Sequence, residues 1–203
     1  MEQIVQKTIE RLKKNNFTVK YFESKEEAVE QILMEIKPED TVGIGGSMTI
    51  KELKLDTLLK NRGNTVHWHW LEANPEDMNK ARKSATFSDV YLTSTNALTQ
   101  DGKLVNTDGM GNRVSAMFYG PKKTIVVCGV NKITENIDSA LERIEMNAYK
   151  NARRLKLNTP CAMNESCIDC DSPQRMCNIT TIIRKKPMQK EFTIIIINEE
   201  LGF

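Results

Sequence analysis

Residues 41–53 read TVGIGGSMTIKEL: a short apolar run, a pair of glycines, then a helix signal. Val42 and Ile44 suit a strand, and Gly45 and Gly46 allow the tight turn that must follow. Thr49 with Glu52 offers a capping box for a helix from about Ile50, and Ser47 is the other candidate cap. Strand, tight loop and helix in immediate succession are the building block of a mostly parallel α/β sheet. In open sheets of that kind ligands sit at the carboxyl ends of the strands, so this turn is also the first candidate binding site.

The same alternation extends to both sides. Ile4, Val5, Ile9 and Leu12 share one face of a helix over 3–14, and FTVKYF (17–22) reads as a strand. Ser24 and Glu27 form a capping box for the helix that carries Ala28, Val29, Ile32, Leu33 and Ile36, and Pro38 stops it. TVHWHW (65–70) alternates like a half-buried strand, with His67 and His69 on one face and Trp68 and Trp70 on the other; Asn74-Pro75 then opens a helix. DVYLTST (89–95) is a strand, and Asp101-Gly102 is the tight turn of a hairpin between NALTQ and KLVNT. TIVVCGV (124–130) and FTIIII (192–197) are apolar enough to be covered on both faces. Between them a long helix is expected from Thr134 towards Leu157, ended by Pro160. The fold class is therefore α/β: a mostly parallel sheet with helices on both faces and an inserted β-hairpin. Residues 1–40 are expected to be a helical and strand lead-in packed on the core, and 41–203 the α/β domain proper, with a cysteine-rich segment at 161–177.

Composition limits what such a chain can do. The 203 residues are 39% hydrophobic with 29 Lys and Arg against 27 Asp and Glu, a net charge of +2. With a mean hydropathy of −0.46, that is enough apolar material for one sizeable core. The charges are spread along the chain, so no long-range field favours nucleic acid. No apolar run approaches the ~20 residues of a membrane span, and MEQIVQKTIE has acids where a signal peptide starts basic. The expected location is the cytoplasm, where five cysteines are thiols or metal ligands rather than a disulfide framework.

Four constellations could carry chemistry. The first is the glycine turn, where Gly45, Gly46, Ser47 and Thr49 could hold an anion against backbone amides; Met48 stands where a dinucleotide fingerprint needs glycine, and no P-loop sequence follows. A plain capped turn is the competing reading. The second joins Thr95 and Asn96 with the loop NTDGMGNR (106–113): Asp108 and Arg113 carry opposite charges, Asn96 and Asn112 both donate and accept, and Gly109 and Gly111 leave amides accessible. Here the alternative is a turn held by an Asp108–Arg113 salt bridge. The third is VNKIT (130–134), where Asn131 and Lys132 follow a buried strand; an exposed lysine at a helix start would explain it equally. The fourth is C-x5-C-x2-C-x6-C at Cys161, Cys167, Cys170 and Cys177: four thiols in 17 residues can close a tetrahedral zinc site or hold an iron–sulfur cluster. Cys128, in mid-strand, reads as a buried apolar residue.

GIGGSMT, TSTNALTQDGKLVNTDGMGNRVSAMFYGPKK, VVCGVNKI, NARRL, TPCAMNESCIDCDSPQRMCN and EELGF, in that order, resemble the LUD-domain family of lactate-utilisation proteins (LutC/YkgG-like), over about Val42 to Phe203. The resemblance implies a fold like that of NagB, ribose-phosphate isomerase and the CoA transferases, and a link to bacterial oxidation of lactate to pyruvate by several subunits, which would be partners together with a second copy of the chain. In those folds a similar Gly-rich turn holds a phosphate or acyl group. The four-cysteine tail belongs to only part of the family. The expected ligand is a small anionic organic metabolite, held by Gly45, Gly46 and Ser47, oriented by Asn96 and Asn112 and neutralised by Arg113 and Lys132, with Asp108 as a candidate base or as the orienting partner of Arg113. The competing expectations are a non-catalytic accessory subunit with a zinc or iron–sulfur site, and a phosphosugar or CoA-ester enzyme unrelated to lactate.

Overall fold

The computed structural model describes residues 2–203. Its centre is a six-stranded, all-parallel sheet of β1 (Thr18–Phe22), β2 (Val42–Ile44), β3 (Val66–His67), β4 (Val90–Thr93), β7 (Lys123–Gly129) and β10 (Glu191–Ile197). The spatial order is β1-β10-β7-β4-β2-β3. The two most apolar strands pair with each other along their full length, Glu191 opposite Lys123 through Ile197 opposite Gly129. Within the 2–40 segment, β1 pairs with β10 and forms an edge of this sheet.

Successive residues of β7 point to opposite faces, and each face has its own core. Ile125 and Val127 pack with Ile195, Ile197, Val42, Ile44, Val90 and Leu92 under α2 (Lys25–Glu35), α3 (Met48–Glu52) and α4 (Leu55–Asn61). Val126 and Cys128 pack with Ile194, Ile196 and Tyr91 under α1 (Glu2–Lys14), α5 (Pro75–Thr86) and α6 (Asn112–Phe118). This two-sided covering is why those strands are apolar without alternation.

The hairpin forms as expected, with β5 (Ala97–Thr99) antiparallel to β6 (Leu104–Asp108). It does not enter the main sheet. It nucleates a second, four-stranded sheet, β8-β5-β6-β9, with β8 (Ile133–Thr134) and β9 (Ile179–Ile183). Its Ala97 and Val105 pack with Ala140, Leu141 and Ile144 of α7 (Ile137–Arg154).

Several boundaries differ from the sequence reading for local reasons. Ser47, not Thr49, caps α3, its hydroxyl accepting from the Ile50 amide at 3.2 Å. The expected helix breaks into α3 and α4 at Lys54, whose φ of 52° is left-handed. TVHWHW makes strand pairing only at Val66–His67 and then turns into a single 3-10 turn at His69–Leu71, so His67 and His69 do not share a strand face. Trp68 and Trp70 do pack together, with ring centroids 4.9 Å apart. The long helix starts later, behind Asn136, whose side chain and that of Ser139 form a reciprocal capping box. Pro160 lies past its end and opens a further turn, α8 (Pro160–Asn164).

Candidate functional site

The loops that leave β2, β4 and β7 end at one edge of the main sheet, and the hairpin sheet and α7 stand beside that edge. Together they enclose a cavity of about 540 Å³. From the strand ends come Gly46, Ser47, Ser94, Thr95, Asn96 and Lys132, and from the hairpin and α6 come Thr107, Asp108, Gly109, Asn112 and Arg113. The turn after β3, α5, α7 and the cysteine segment complete it with Trp70, Met78, Ile144, Leu155, Leu157 and Met176. Six of the lining residues are basic, Arg82, Arg113, Lys132, Arg143, Arg154 and Arg175, whereas Asp108 supplies the one carboxylate side chain. Low-dielectric walls concentrate such a potential, so the lining of the cavity is cationic although the chain as a whole is nearly neutral.

Arg113 is the hub of the hairpin side. Its Nη1 donates to Asn106 Oδ1 at 2.8 Å, and its Nη2 donates to Asn96 Oδ1 at 2.9 Å and to the Thr107 carbonyl at 2.8 Å. Asn96 and Asn106 then lock the two strands side chain to backbone: Asn106 Oδ1 accepts from the Asn96 amide, and Asn96 Oδ1 accepts from the Thr107 amide. Asp108 lies 3.8 Å from Arg113 Nε and accepts from the Val114 amide, so it both pairs with Arg113 and caps α6. Gly111, at φ 83°, makes the turn between them, in a left-handed conformation that suits glycine. Arg113 and Asp108 thus face each other first and the cavity second. Burial holds the Arg113 pKa below the usual arginine value, with Asp108 counteracting.

Lys132 is different. It is only 4% exposed, yet its ammonium has no hydrogen-bond or ion-pair partner among the described residues. Burial, reinforced by Arg143, lowers its pKa from 10.5 to about 8, against weaker opposing effects of Cys128 and Glu52. It is not the exposed lysine that its sequence context allowed. Arg143, on α7, donates through Nε to the Asn131 carbonyl at 3.0 Å and through Nη1 to the Asn96 carbonyl at 2.7 Å, bridging the second and third candidate loops. Its Nη2 has no protein partner among the described residues. Asn131 turns away to exchange hydrogen bonds with Leu201, and Gly202 donates to Glu52 Oε2 at 2.8 Å. The segment 201–203 is thereby fixed against the site, and Phe203 lines the cavity. This docking needs glycine at 129, where a Cβ would overlap the Glu199 carbonyl and stand 2.8 Å from the Leu201 nitrogen.

Of the residues singled out from sequence, Gly46, Ser47, Thr95, Asn96, Asp108, Gly109, Asn112, Arg113 and Lys132 line this one cavity. Gly45 lies beneath, against Tyr91 and Thr93, and Thr49 is buried with its hydroxyl 3.5 Å from the Leu201 carbonyl. Gly111 and Asn131 serve the loops rather than the wall. The anion-binding case for the glycine turn weakens as a helix effect, because α3 has only five residues and Ser47 already caps it. It strengthens through side chains that the sequence reading missed. Arg82, Arg143 and Arg154 lie on α5 and α7, and only the packing of those helices at the sheet edge brings them to the cavity. His69 lines the cavity without His67, and burial beside Arg82 and Arg154 lowers its pKa to about 4. It is neutral at pH 7. Arg154 stacks over Trp70 with its guanidinium carbon 4.3 Å from the ring centroid.

The cysteines divide sharply. Cys128 is fully buried among apolar side chains, and burial pushes its thiol up to about 12. Cys161, Cys167, Cys170 and Cys177 are all partly exposed free thiols, and Cys161, Cys170 and Cys177 line the cavity. Four thiols are the donor set of a tetrahedral zinc or iron–sulfur site. Among the described residues, however, no three His, Cys, Asp or Glu side chains converge on one point. The donor types are those of a metal site, but their spacing does not close around an ion.

A doubly covered parallel sheet with a cationic cleft at its carboxyl edge is an α/β fold whose cleft lies where ligands sit in open sheets of this kind. Comparison with known proteins makes this more specific: the LUD domain model matches residues 5–197, and the chain belongs to that family. The crystal structure of a DUF162 family protein from Deinococcus radiodurans has the same fold, with a TM-score of 0.56 at 11% identity over 97% of both chains. No curated protein matches the chain. Among the described residues, no helix is long and apolar enough to cross a membrane.

Proposed function

We propose that the chain binds a small organic anion in the cleft at the sheet edge, in the use of lactate or a related organic acid. The observation that carries this is Lys132: a buried ammonium without a partner, facing a cavity it shares with Arg113 and Arg143. Holding such a charge with little hydration and no partner is costly, and an anionic ligand would supply the compensation. Arg143 would offer its free Nη2 beside Lys132. Thr95, Asn96 and Ser47 would orient the ligand with their polar groups, while Arg113, already committed to Asn96, Asn106 and Thr107, would hold the wall in place. Asp108 is tied to Arg113 and the Val114 amide of α6, which favours a positioning role for it over that of a base. The reduced thiols suit a cytoplasmic setting.

The size and lining of the cavity favour a second ligand class within the same reading. A three-carbon acid would occupy only a small part of about 540 Å³, a volume typical of sites for much larger ligands. Trp70, Met78, Leu155 and Leu157 add apolar surface that a bare hydroxy acid does not use. A phosphorylated or CoA-bearing metabolite would use both kinds of surface.

The test is calorimetry on the purified chain with lactate, pyruvate, a sugar phosphate and an acyl-CoA, preceded by native mass spectrometry for co-purifying molecules. Saturable binding of one anion, weakened at least about tenfold, or 1.4 kcal/mol, by Lys132→Met, supports the reading. No binding of any of them, with nothing co-purifying, contradicts it.

A further inference from the structure

We infer that Lys132 is a nucleophile: its side-chain nitrogen condenses with the carbonyl of an α-keto acid held in the cleft and forms an imine. This deepens the anion reading and rests on it, since it names the ligand as a carbonyl-bearing acid and gives the lysine a covalent task beside its charge.

Three residues of the cavity wall have a polar group left over. Lys132 is buried, and its nitrogen meets no acceptor among the described residues. Arg143 commits Nε to the Asn131 carbonyl and Nη1 to the Asn96 carbonyl, which leaves Nη2 for a ligand. Ser47 is buried as well; its oxygen accepts from the Ile50 amide, and its proton has no acceptor among the described residues. These groups match the parts of one α-keto acid: a guanidinium for the carboxylate, an amine for the carbonyl carbon and a hydroxyl for the carbonyl oxygen.

The surroundings of the amine are those of a lysine nucleophile. Gly202 passes against it, where a Cβ would stand 3.2 Å from Nζ and 2.7 Å from the Thr49 hydroxyl, so the 201–203 segment covers the amine on that side. The titratable and charged groups around it are Arg143 on α7, Arg113 on α6, Cys128 on β7 and Glu52 on α3. Burial and the two arginines outweigh Cys128 and Glu52 in disfavouring the ammonium. Desolvation beside a second cation is how a lysine keeps its lone pair available near neutral pH. At a pKa of about 8, roughly one amine in ten is neutral at pH 7. Lys190 is lowered equally far, but it donates to the Ala116 and Pro121 carbonyls and does not line the cavity, so it serves as an internal control.

The step balances without oxidant or cofactor. The lone pair of the neutral amine forms the nitrogen–carbon bond while the carbonyl π pair moves to oxygen, towards which Ser47 can donate. That oxygen takes both amine protons and leaves as water, and the imine nitrogen then gains a proton from solvent. The protonated imine keeps the positive charge of the lysine and draws electrons from the adjoining carbon.

The whole chain is incubated near pH 7 with pyruvate or phenylpyruvate, a small and a large α-keto acid, and with sodium cyanoborohydride, which reduces an imine to a stable amine. Intact mass and peptide mapping then locate any adduct, and lactate, which has no carbonyl, is the control. Expected is one reduced adduct per chain, on Lys132, absent with lactate and lost in Lys132→Met. Mapping on the parent chain decides the point even where the variant fails to fold. Acids that bind by calorimetry while neither keto acid leaves an adduct on Lys132 overturn the imine and leave the anion reading standing; absence of binding by the whole ligand panel removes both. An adduct on Lys190, or one spread over exposed lysines, equally overturns it.

Discussion

Arg113 Nη2 donates to Asn96 Oδ1 at 2.9 Å, joining the first turn of α6 to the loop that leaves β4. Because Asn96 Oδ1 also accepts from the Thr107 amide, one contact links the main sheet, the hairpin and α6. The guanidinium fork makes this junction, and an ammonium cannot reproduce its geometry. Arg113→Lys is therefore expected to destabilise the fold by about 1–3 kcal/mol, because the Asn96 and Asn106 side-chain oxygens keep their backbone donors but lose the charged one. Urea unfolding of the two proteins checks it; a loss below about 0.5 kcal/mol would mean that the hub is replaceable by simple charge.

Lys132 gives the cleft its pH dependence. An anion gains most from the protonated amine, so affinity falls as pH rises through about 8 and the dependence disappears in Lys132→Met. Arg143 and Arg113 stay charged across this range, and His69, with its pKa near 4, is already neutral. Calorimetric titrations at about pH 7 and pH 9 read the difference directly.

The same lysine affects stability with the opposite trend. Its folded pKa of about 8 lies below the ordinary 10.5, so the unfolded chain holds the extra proton between those values and stability rises with pH across that window. Below about 8 the buried charge is a constant burden, and Lys132→Met is expected to be more stable than the parent at pH 7. Lys190, lowered to about 8 by burial, titrates in the same window but donates to the Ala116 and Pro121 carbonyls and does not line the cavity. Some of the rise should therefore survive in Lys132→Met, and a flat profile would show that Lys132 alone accounts for it.

Gly129→Ala should be damaging at a distance. The new methyl meets the Glu199 carbonyl, Asn131 Oδ1 at 2.5 Å and the Leu201 nitrogen, so the 199–203 segment must move. A stability loss of about 1–3 kcal/mol is expected, together with weakened anion binding, because the Asn131–Leu201 exchange beside Lys132 is lost. Retained affinity in a destabilised protein would separate this segment from the site.

Trp70 distinguishes the two ligand classes. Trp70→Ala removes the surface on which Arg154 stacks and part of the apolar lining, so it should weaken an acyl-CoA or other large anion by about 1–3 kcal/mol and leave a three-carbon acid within about 0.5 kcal/mol. Equal effects on both would place the small acid against the indole.

Much of this architecture is written locally. Ser24, Asn74 and the apolar runs of β7 and β10 announce their elements because caps and doubly buried strands leave one-dimensional signatures. The Asp101-Gly102 turn announces the hairpin equally well, yet nothing local says that the hairpin founds a second sheet, because its outer partner β9 lies about seventy residues further on. The His69 turn was hidden by an alternation that tertiary packing overrides after two residues. In the cleft, loops named by composition line one cavity, but the duties of Arg113 and Lys132 could not be ranked from spacing. Arg143 was invisible for a different reason: a helical arginine reads as solvent-facing until the helix end is placed against the sheet edge.

The most direct test of the cationic cleft is the affinity of one bound anion, identified from the ligand panel, for the parent chain and for Lys132→Met at pH 7. The expected result is a loss of at least about tenfold in Kd while the melting temperature holds or rises, since the substitution removes a binding charge and a stability burden together. Unchanged affinity in a folded Lys132→Met protein would contradict the account.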